Sequence, residues 1–197
     1  MAESRTWGLV LLAAGASRRM GRPKQLLPVQ GMPLVRRVAL TALAAPVSPV
    51  VVVLGAHAAE VTLALAGLPV CLALNPGWEE GMGSSLRFGA ETALGLAPGL
   101  QGLIVAMADQ PNLTASHLVK LLEKQRETGR SVVATESGGV LQPPVLFTAA
   151  HFTQLLALHG ETGARAVLQS SAEAPAVVPA ADLRDLDTPA DYADFIG

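Results

Sequence analysis

The stretch Leu12-Ala13-Ala14-Gly15-Ala16-Ser17-Arg18-Arg19-Met20-Gly21-Arg22-Pro23-Lys24-Gln25-Leu26-Leu27-Pro28 decides the fold. It leaves an apolar run, residues 7–13, that reads as a buried strand. Its small residues let backbone N–H groups approach an anion closely, and Gly15 and Gly21 open the left-handed region of backbone space. Arg18, Arg19, Arg22 and Lys24 bring fixed positive charge to the same short loop. Together these features make a cradle for a polyphosphate. Two familiar cradles are excluded. A P-loop needs Gly-x4-Gly-Lys-Ser/Thr, but Gly15 and Gly21 are six apart and Arg22 follows. A dinucleotide fingerprint needs Gly-x-Gly-x-x-Gly, and position 17 is serine.

Outward from this loop, strand and helix patterns alternate. Pro33 suits the first position of a helix to about residue 43. Residues 50–54 are a β-branched run closed by Gly55, which suits a central strand. A short helix at 58–65 and a strand at 70–74 follow. Ser84 can cap a helix to about residue 94, and 103–107 reads as another buried strand. Thr114 can cap a helix through about residue 126, before strands at 131–135 and 141–147, the second interrupted by Pro143 and Pro144. Helices are expected at 149–158 and 163–170. Thr188-Pro189-Ala190-Asp191 reads as cap, proline at the first helical position and acid at the third. Strands separated by helices predict βαβ units with right-handed crossovers: one Rossmann-like α/β/α sandwich over residues 1–197, its sheet mostly parallel and helices on both faces. Ligands of such sheets bind beyond the carboxyl ends of the strands. The loop from Ala14, the loop from Asn75, and Asp109 all follow expected strands.

A chain of 197 residues is enough for one domain with its own core. At 50% hydrophobic and 15% charged residues, with mean hydropathy +0.40, it is not a disordered tail. The lone Cys71 excludes an intramolecular disulfide framework and a cysteine zinc site, and reads as inert core. A net charge of −2 argues against a surface built for nucleic acid. No signal peptide is readable from residues 1–5. The charge-free run 38–59 has the length of a membrane span, but Pro46, Ser48 and Pro49 break it, so a soluble cytoplasmic protein without membrane partners is expected. Charge is uneven: seven of 14 cations fall within the first 37 residues, and five of 16 acids within the last 16. The pattern fits either two solvated faces or an anion site near one end and a metal site near the other. His57, His117, His151 and His159 show no ligand spacing, and Trp78 reads as packing.

Leu12-Ala13-Ala14-Gly15-x-Ser17-x-Arg19-Met20-Gly21-x-Pro23-Lys24 resembles the signature loop of nucleotidyltransferases with a glycosyltransferase-A-like fold. More narrowly, the chain resembles the MobA-like molybdenum-cofactor cytidylyltransferases and their guanylyltransferase relatives. The resemblance continues through Asn75-Pro76-Gly77-Trp78-Glu79-Glu80-Gly81-Met82-Gly83-Ser84-Ser85-Leu86, Met107-Ala108-Asp109-Gln110-Pro111, Pro144-Val145-Leu146-Phe147, Gly160-Glu161-Thr162-Gly163-Ala164-Arg165 and Asp185-Leu186-Asp187-Thr188-Pro189. Gln142 and Pro143 replace the usual Gly-x before Pro-Val-Leu-Phe, and Glu161 stands where aspartate is usual. Both departures fall in the half expected to hold the acceptor.

The resemblance implies transfer of a nucleotidyl group from a triphosphate to a phosphate monoester, with release of pyrophosphate. The resemblance further implies CTP and the molybdenum cofactor as substrates and Mg²⁺ as cofactor, with a molybdoenzyme to receive the product. The acceptor phosphate is already an anion, so the chemistry is mostly positioning and charge neutralisation. Nucleotide contacts are expected from Leu12, Ala13, Ala14, Gly15, Ser17, Arg18, Arg19, Met20, Gly21 and Lys24, with Gly81 and Ser85. Lys24, Arg19 and Asp109 are the expected catalytic residues. Lys24 would act at the α-phosphate, and Arg18 and Arg19 would hold the outer phosphates. Asp109 suits a hard cation, with Asp187 or Asp185 as second carboxylate and Arg165 on the acceptor phosphate. Each has a plainer role open to it: a turn at Asp109, a helix-dipole partner at Asp187, caps at Ser84 and Ser85, a helix cation at Arg165. Two further readings stand beside this one. One is a transferase for a sugar or alcohol phosphate. The other is a non-catalytic binder that hands a cofactor to an apoenzyme.

Overall fold

The computed structural model describes residues 6–197; the readings on residues 1–5, Arg5 among the cations, lie outside the described residues. Strand β1 (Trp7–Leu12) is buried at every position, so it is covered on both faces. After it come the hairpin β2 (Pro28–Val29) and β3 (Met32–Pro33), helix α1 (Leu34–Leu43), β4 (Val50–Leu54), α2 (Ala58–Ala64) and β5 (Cys71–Leu74). The chain continues through α3 (Met82–Leu96), β6 (Gly102–Met107), α4 (Ala115–Thr128), β7 (Val132–Ser137), β8 (Val140–Thr148), α5 (Phe152–Leu156), α6 (Ala164–Ser170), β9 (Ala176–Pro179) and α7 (Pro189–Ile196).

The large sheet has the order β5-β4-β1-β6-β8-β7-β9. It is parallel except at β8, which runs antiparallel to both neighbours. Alternation along β1 divides the interior. Leu9 and Leu11 pack with Leu34 and Val38 of α1, Val61 of α2, Leu118 of α4 and Tyr192 of α7. Val10 and Leu12 face the other way, with Leu86 of α3, Leu155 of α5 and Val167 of α6. From β1 the sheet grows through β4 to β5, then the chain returns to lay β6 on the other side of β1. The direction of growth therefore reverses between β1 and β6, and a crevice opens there at the carboxyl ends.

Several element readings need correction. Ser84 does not cap a helix: α3 begins at Met82, with Gly81 in the cap position. Pro33 sits one residue before α1 and pairs with Pro28 in the hairpin. Pro143 and Pro144 interrupt the ladder but not the strand: β8 is continuous, and the pairing passes from Ala134↔Val145 to Thr135↔Gln142, leaving both prolines unpaired in a bulge. The expected helix at 149–158 is a 3-10 turn, Ala149–His151, followed by the short α5. Strand β9 was not expected, since its four residues follow Pro175 and end in Pro179; it takes an edge, where proline is tolerated. Among the described residues no helix is long and apolar enough to cross a membrane.

Candidate active site

Leu12 pairs with Val53 on one side and Met107 on the other, so the loop after β1 and Asp109 after β6 leave the sheet together. They border a cleft of about 450 Å³ at the reversal of strand order. A third segment arrives from the far end of the chain: the Leu186 N–H donates to the Asp109 carbonyl at 3.0 Å and sets Asp185 and Asp187 beside it. The capping box of α7 fixes this segment. Thr188 Oγ1 accepts from the Asp191 N–H at 3.2 Å, and Asp191 accepts from the N–H groups of Thr188 at 2.7 Å and Asp187 at 3.1 Å.

Lys24 lies where these segments meet, at the start of a 3-10 turn, Lys24–Leu26. Its Nζ donates to Asp109 Oδ2 in an ion pair and to Asp187 Oδ1 at 3.0 Å. Burial pulls the ammonium down, but Asp109 and then Asp187 outweigh it, and the net shift holds Lys24 above the ordinary lysine range. Arg19 reaches the other oxygen of Asp187 at 2.9 Å. Asp109 is 4% exposed, and its Oδ1 is buried with no hydrogen-bond partner among the described residues. Burial of its carboxyl and the neighbouring Asp109 charge push Asp185 up to about 6, although the residue as a whole keeps an exposed surface. Gln110 Nε2 donates to Asp185 Oδ1 and to the Pro143 carbonyl, both at 3.0 Å.

The opposite wall comes from the segment after β5. Asn75 Nδ2 donates to Ser84 Oγ at 3.0 Å and Ser85 Oγ at 3.1 Å, while its Oδ1 accepts from the Gly77 N–H at 2.9 Å. Ser84 points away from the cleft, toward the carbonyls of Gly77 and Gly81. Ser85 lines the cleft and, with Asn75 on its oxygen, keeps its hydroxyl hydrogen for a ligand. Gly81 is required here: its φ is +120°, and a Cβ would lie 2.5 Å from the Gly160 carbonyl oxygen.

Of the residues singled out from sequence, Leu12, Ala13, Ala14, Gly15, Ser17, Arg18, Arg19, Lys24, Gly81, Ser85 and Asp109 line this one cleft. Asp187 joins it through Lys24 and Arg19. Ser84 and Asp185 do not line it, nor do four others. Met20 is 4% exposed and packs into the core on the α1 side, because the Ser17 turn points it inward. Gly21 closes that turn, its N–H donating to the Ser17 carbonyl at 3.2 Å. Arg22 stacks over the Tyr192 ring at 5.3 Å. Arg165 is exposed on α6. Trp78, expected as packing, touches the α3-side core and also lines the cleft. Sequence reasoning gave no role to Gln25, Asn75 or Gln110, all buried and all hydrogen-bonded to site segments.

Residues 9–176 match the family described as the MobA-like NTP transferase domain. Purine catabolism protein PucB of Bacillus subtilis (strain 168) is 33% identical over 196 residues, 93% of this chain and 92% of that protein. Nicotine blue oxidoreductase of Paenarthrobacter nicotinovorans is 35% identical over 91% of this chain and 88% of its own. Molybdenum cofactor guanylyltransferase of Rhodobacter capsulatus is 39% identical over 106 residues, 53% of this chain and 51% of that protein. Among solved structures, the Mycobacterium sp. strain JC1 homologue of M. tuberculosis rv0371c superposes with a TM-score of 0.83 at 30% identity, over 96% of this chain and 94% of the other.

Proposed function

The chain belongs to the MobA-like NTP transferase family and is a nucleotidyltransferase of that type, and we propose that it moves CMP from CTP to the terminal phosphate of molybdopterin or its molybdenum cofactor. The observation that carries this reading is Lys24, held between Asp109 and Asp187 at the mouth of the cationic loop. An oxygen of the acceptor phosphate attacks the α-phosphorus of CTP, a new phosphoanhydride forms, and the bond to pyrophosphate breaks. The attacking oxygen already carries charge, so no side chain need take a proton from it. Lys24 leaves the carboxylates for the α-phosphate, where negative charge develops. Arg18 and Arg19 neutralise the departing pyrophosphate. The Ser85 hydroxyl, oriented by Asn75, donates to the nucleoside.

A hard divalent cation suits this carboxylate set. Asp109 and Asp187 already converge on one cation, and Asp109 Oδ1 has no partner of its own. Among the described residues no group of three or more His, Cys, Asp or Glu is placed to hold a metal. Asp109 and Asp187 would hold Mg²⁺, with Asp185 beside them; bound there, it supplies further charge neutralisation to the phosphates.

Support for CTP comes from Ala14, a residue of the cleft lining, where a methyl in place of a glycine hydrogen would narrow the slot for a base. One methyl is worth ~1–3 kcal/mol of selectivity. The Rhodobacter relative's name favours guanylyl transfer to the same acceptor as the second reading. Both substrates are soluble, and a cytoplasmic molybdoenzyme is the recipient we expect. The test is pyrophosphate release with Mg²⁺, molybdopterin and either CTP or GTP. A preference for CTP of about tenfold or more is expected. Equal use of GTP would overturn the CTP assignment, and no release with molybdopterin would overturn the acceptor.

A further inference from the structure

We infer that Gln25 is a positioning residue that turns the peptide N–H groups of the loop after β1 toward the triphosphate. Gln25 is 2% exposed, and each of its polar atoms is engaged by that loop. Nε2 donates to the carbonyls of Ala13 at 3.0 Å and Gly15 at 2.7 Å. Oε1 accepts from Ser17 Oγ at 3.1 Å, and Ser17 Oγ in turn accepts from the Lys24 N–H at 3.0 Å. One amide thus ties together both ends of a loop that carries Ser17 at φ +56°, a conformation most side chains avoid.

The consequence follows from peptide planarity. In a trans peptide the C=O and the following N–H point in opposite directions. Drawing the Ala13 and Gly15 carbonyls onto Gln25 turns the N–H groups of Ala14 and Ala16 away from it. Ala14 and Ala16 both line the cleft. Among the described residues, the backbone N–H groups of residues 14–19 donate to no acceptor in the protein. Without the Gln25 amide, the same two carbonyls are free to rotate toward the cleft, where they repel phosphate oxygens. Gln25 also sits next to Lys24, so the contact that shapes the phosphate cradle also fixes the backbone that carries the ammonium. Nothing here depends on the base or the acceptor.

The experiment uses two near-isosteric variants of the full chain, Gln25→Met and Gln25→Glu. Dissociation constants are measured calorimetrically for CTP, GTP and inorganic tripolyphosphate, with thermal unfolding of each ligand-free protein alongside. At pH 8 both variants are expected to bind every polyphosphate that wild type binds at least tenfold more weakly. Gln25→Glu should recover part of this loss relative to wild type as the pH falls from 8 to 6, because a protonated carboxyl regains one donor for the carbonyls. Gln25→Met should not recover. Affinities within twofold of wild type, or the same loss at every pH in both variants, would overturn the assignment and leave Gln25 a packing residue. Wild type that binds tripolyphosphate or GTP but not CTP would overturn the CTP reading and leave this one standing.

Discussion

Lys24 and Asp109 separate binding from chemistry at single atoms. In the ligand-free protein the ammonium is shared by Asp109 and Asp187, and these charges hold its proton firmly. It reaches the reaction as a full positive charge on a short, proline-preceded tether. Lys24→Ala is therefore expected to lower kcat by about a hundredfold or more, the loss typical of one preorganised charge donor. Steady-state kinetics decide the matter, since an unchanged kcat with a raised KM for the triphosphate would make Lys24 a binding residue only. Asp109→Asn should keep the fold and lose most turnover; turnover within about threefold of wild type, less than ~1 kcal/mol of barrier, would remove Asp109 from the site. Charge after a strand was legible in the sequence, which is why both residues stood out. Gln25 was not legible, because an uncharged amide carries no sign of direction until the carbonyls it faces are known. Met20 misled in the opposite sense: it lies inside the motif, yet the turn at Ser17 sends it to the core.

Among the elements, helix α7 does more than close the fold. Its capping box sets the position of Asp187, because Asp191 binds the N–H groups of both Thr188 and Asp187. Thr188→Ala should cost about 1 kcal/mol, within a usual range of ~0.5–2, read as a lower urea midpoint at unchanged slope. The same variant should raise the Mg²⁺ concentration needed for half-maximal rate, because the backbone bearing Asp187 is loosened. A stability loss with an unaltered Mg²⁺ requirement would confine the cap to folding. This cap was readable from four residues, as was Thr114 at the start of α4, since caps are local chemistry. Strand β9 and the β2–β3 hairpin were not readable: each is only two to four residues long, and tertiary pairing alone makes it a strand. Ser84 looked like a cap for the same local reasons that made Thr188 one. The close approach of residues 159–162 moved the helix start to Met82 and left Ser84 bonding to carbonyls behind it.

Across the whole molecule, two cations near one end of the chain, Arg19 and Lys24, meet an acid near the other, Asp187. Lys24 and Asp187 are 163 residues apart in sequence and 3.0 Å apart in space. Composition showed both blocks, but the loop after β1, Asp109 after β6 and the Leu186 N–H on the Asp109 carbonyl bring these residues together. The layer on the α1 side is tied to the sheet by a buried polar chain from α4 through β7 to β8. His117 Nε2 meets Thr135 Oγ1 at 2.8 Å, and Thr135 donates to the Pro144 carbonyl at 2.8 Å. Thr135 has only one proton to give, so His117 must donate through Nε2. Burial, and then the Lys120 charge, lower the His117 pKa below its ordinary value of 6.5. The sign of the linkage follows. Above about pH 6.5 the ring is neutral whether the chain is folded or not. Below that value the unfolded chain takes up a proton that the folded chain refuses, so stability falls until the pH passes the lower, folded value. Thermal unfolding from pH 8 to pH 5 should therefore show a steeper loss for wild type than for His117→Gln. At pH 8 the variant should be less stable by about 1 kcal/mol, the size of one hydrogen bond. The carboxylates titrate alike in both proteins, so the difference between the two curves isolates the histidine. Parallel curves over that window would mean that His117 accepts its proton without cost, and equal stability at pH 8 that it does not clamp α4 to the sheet.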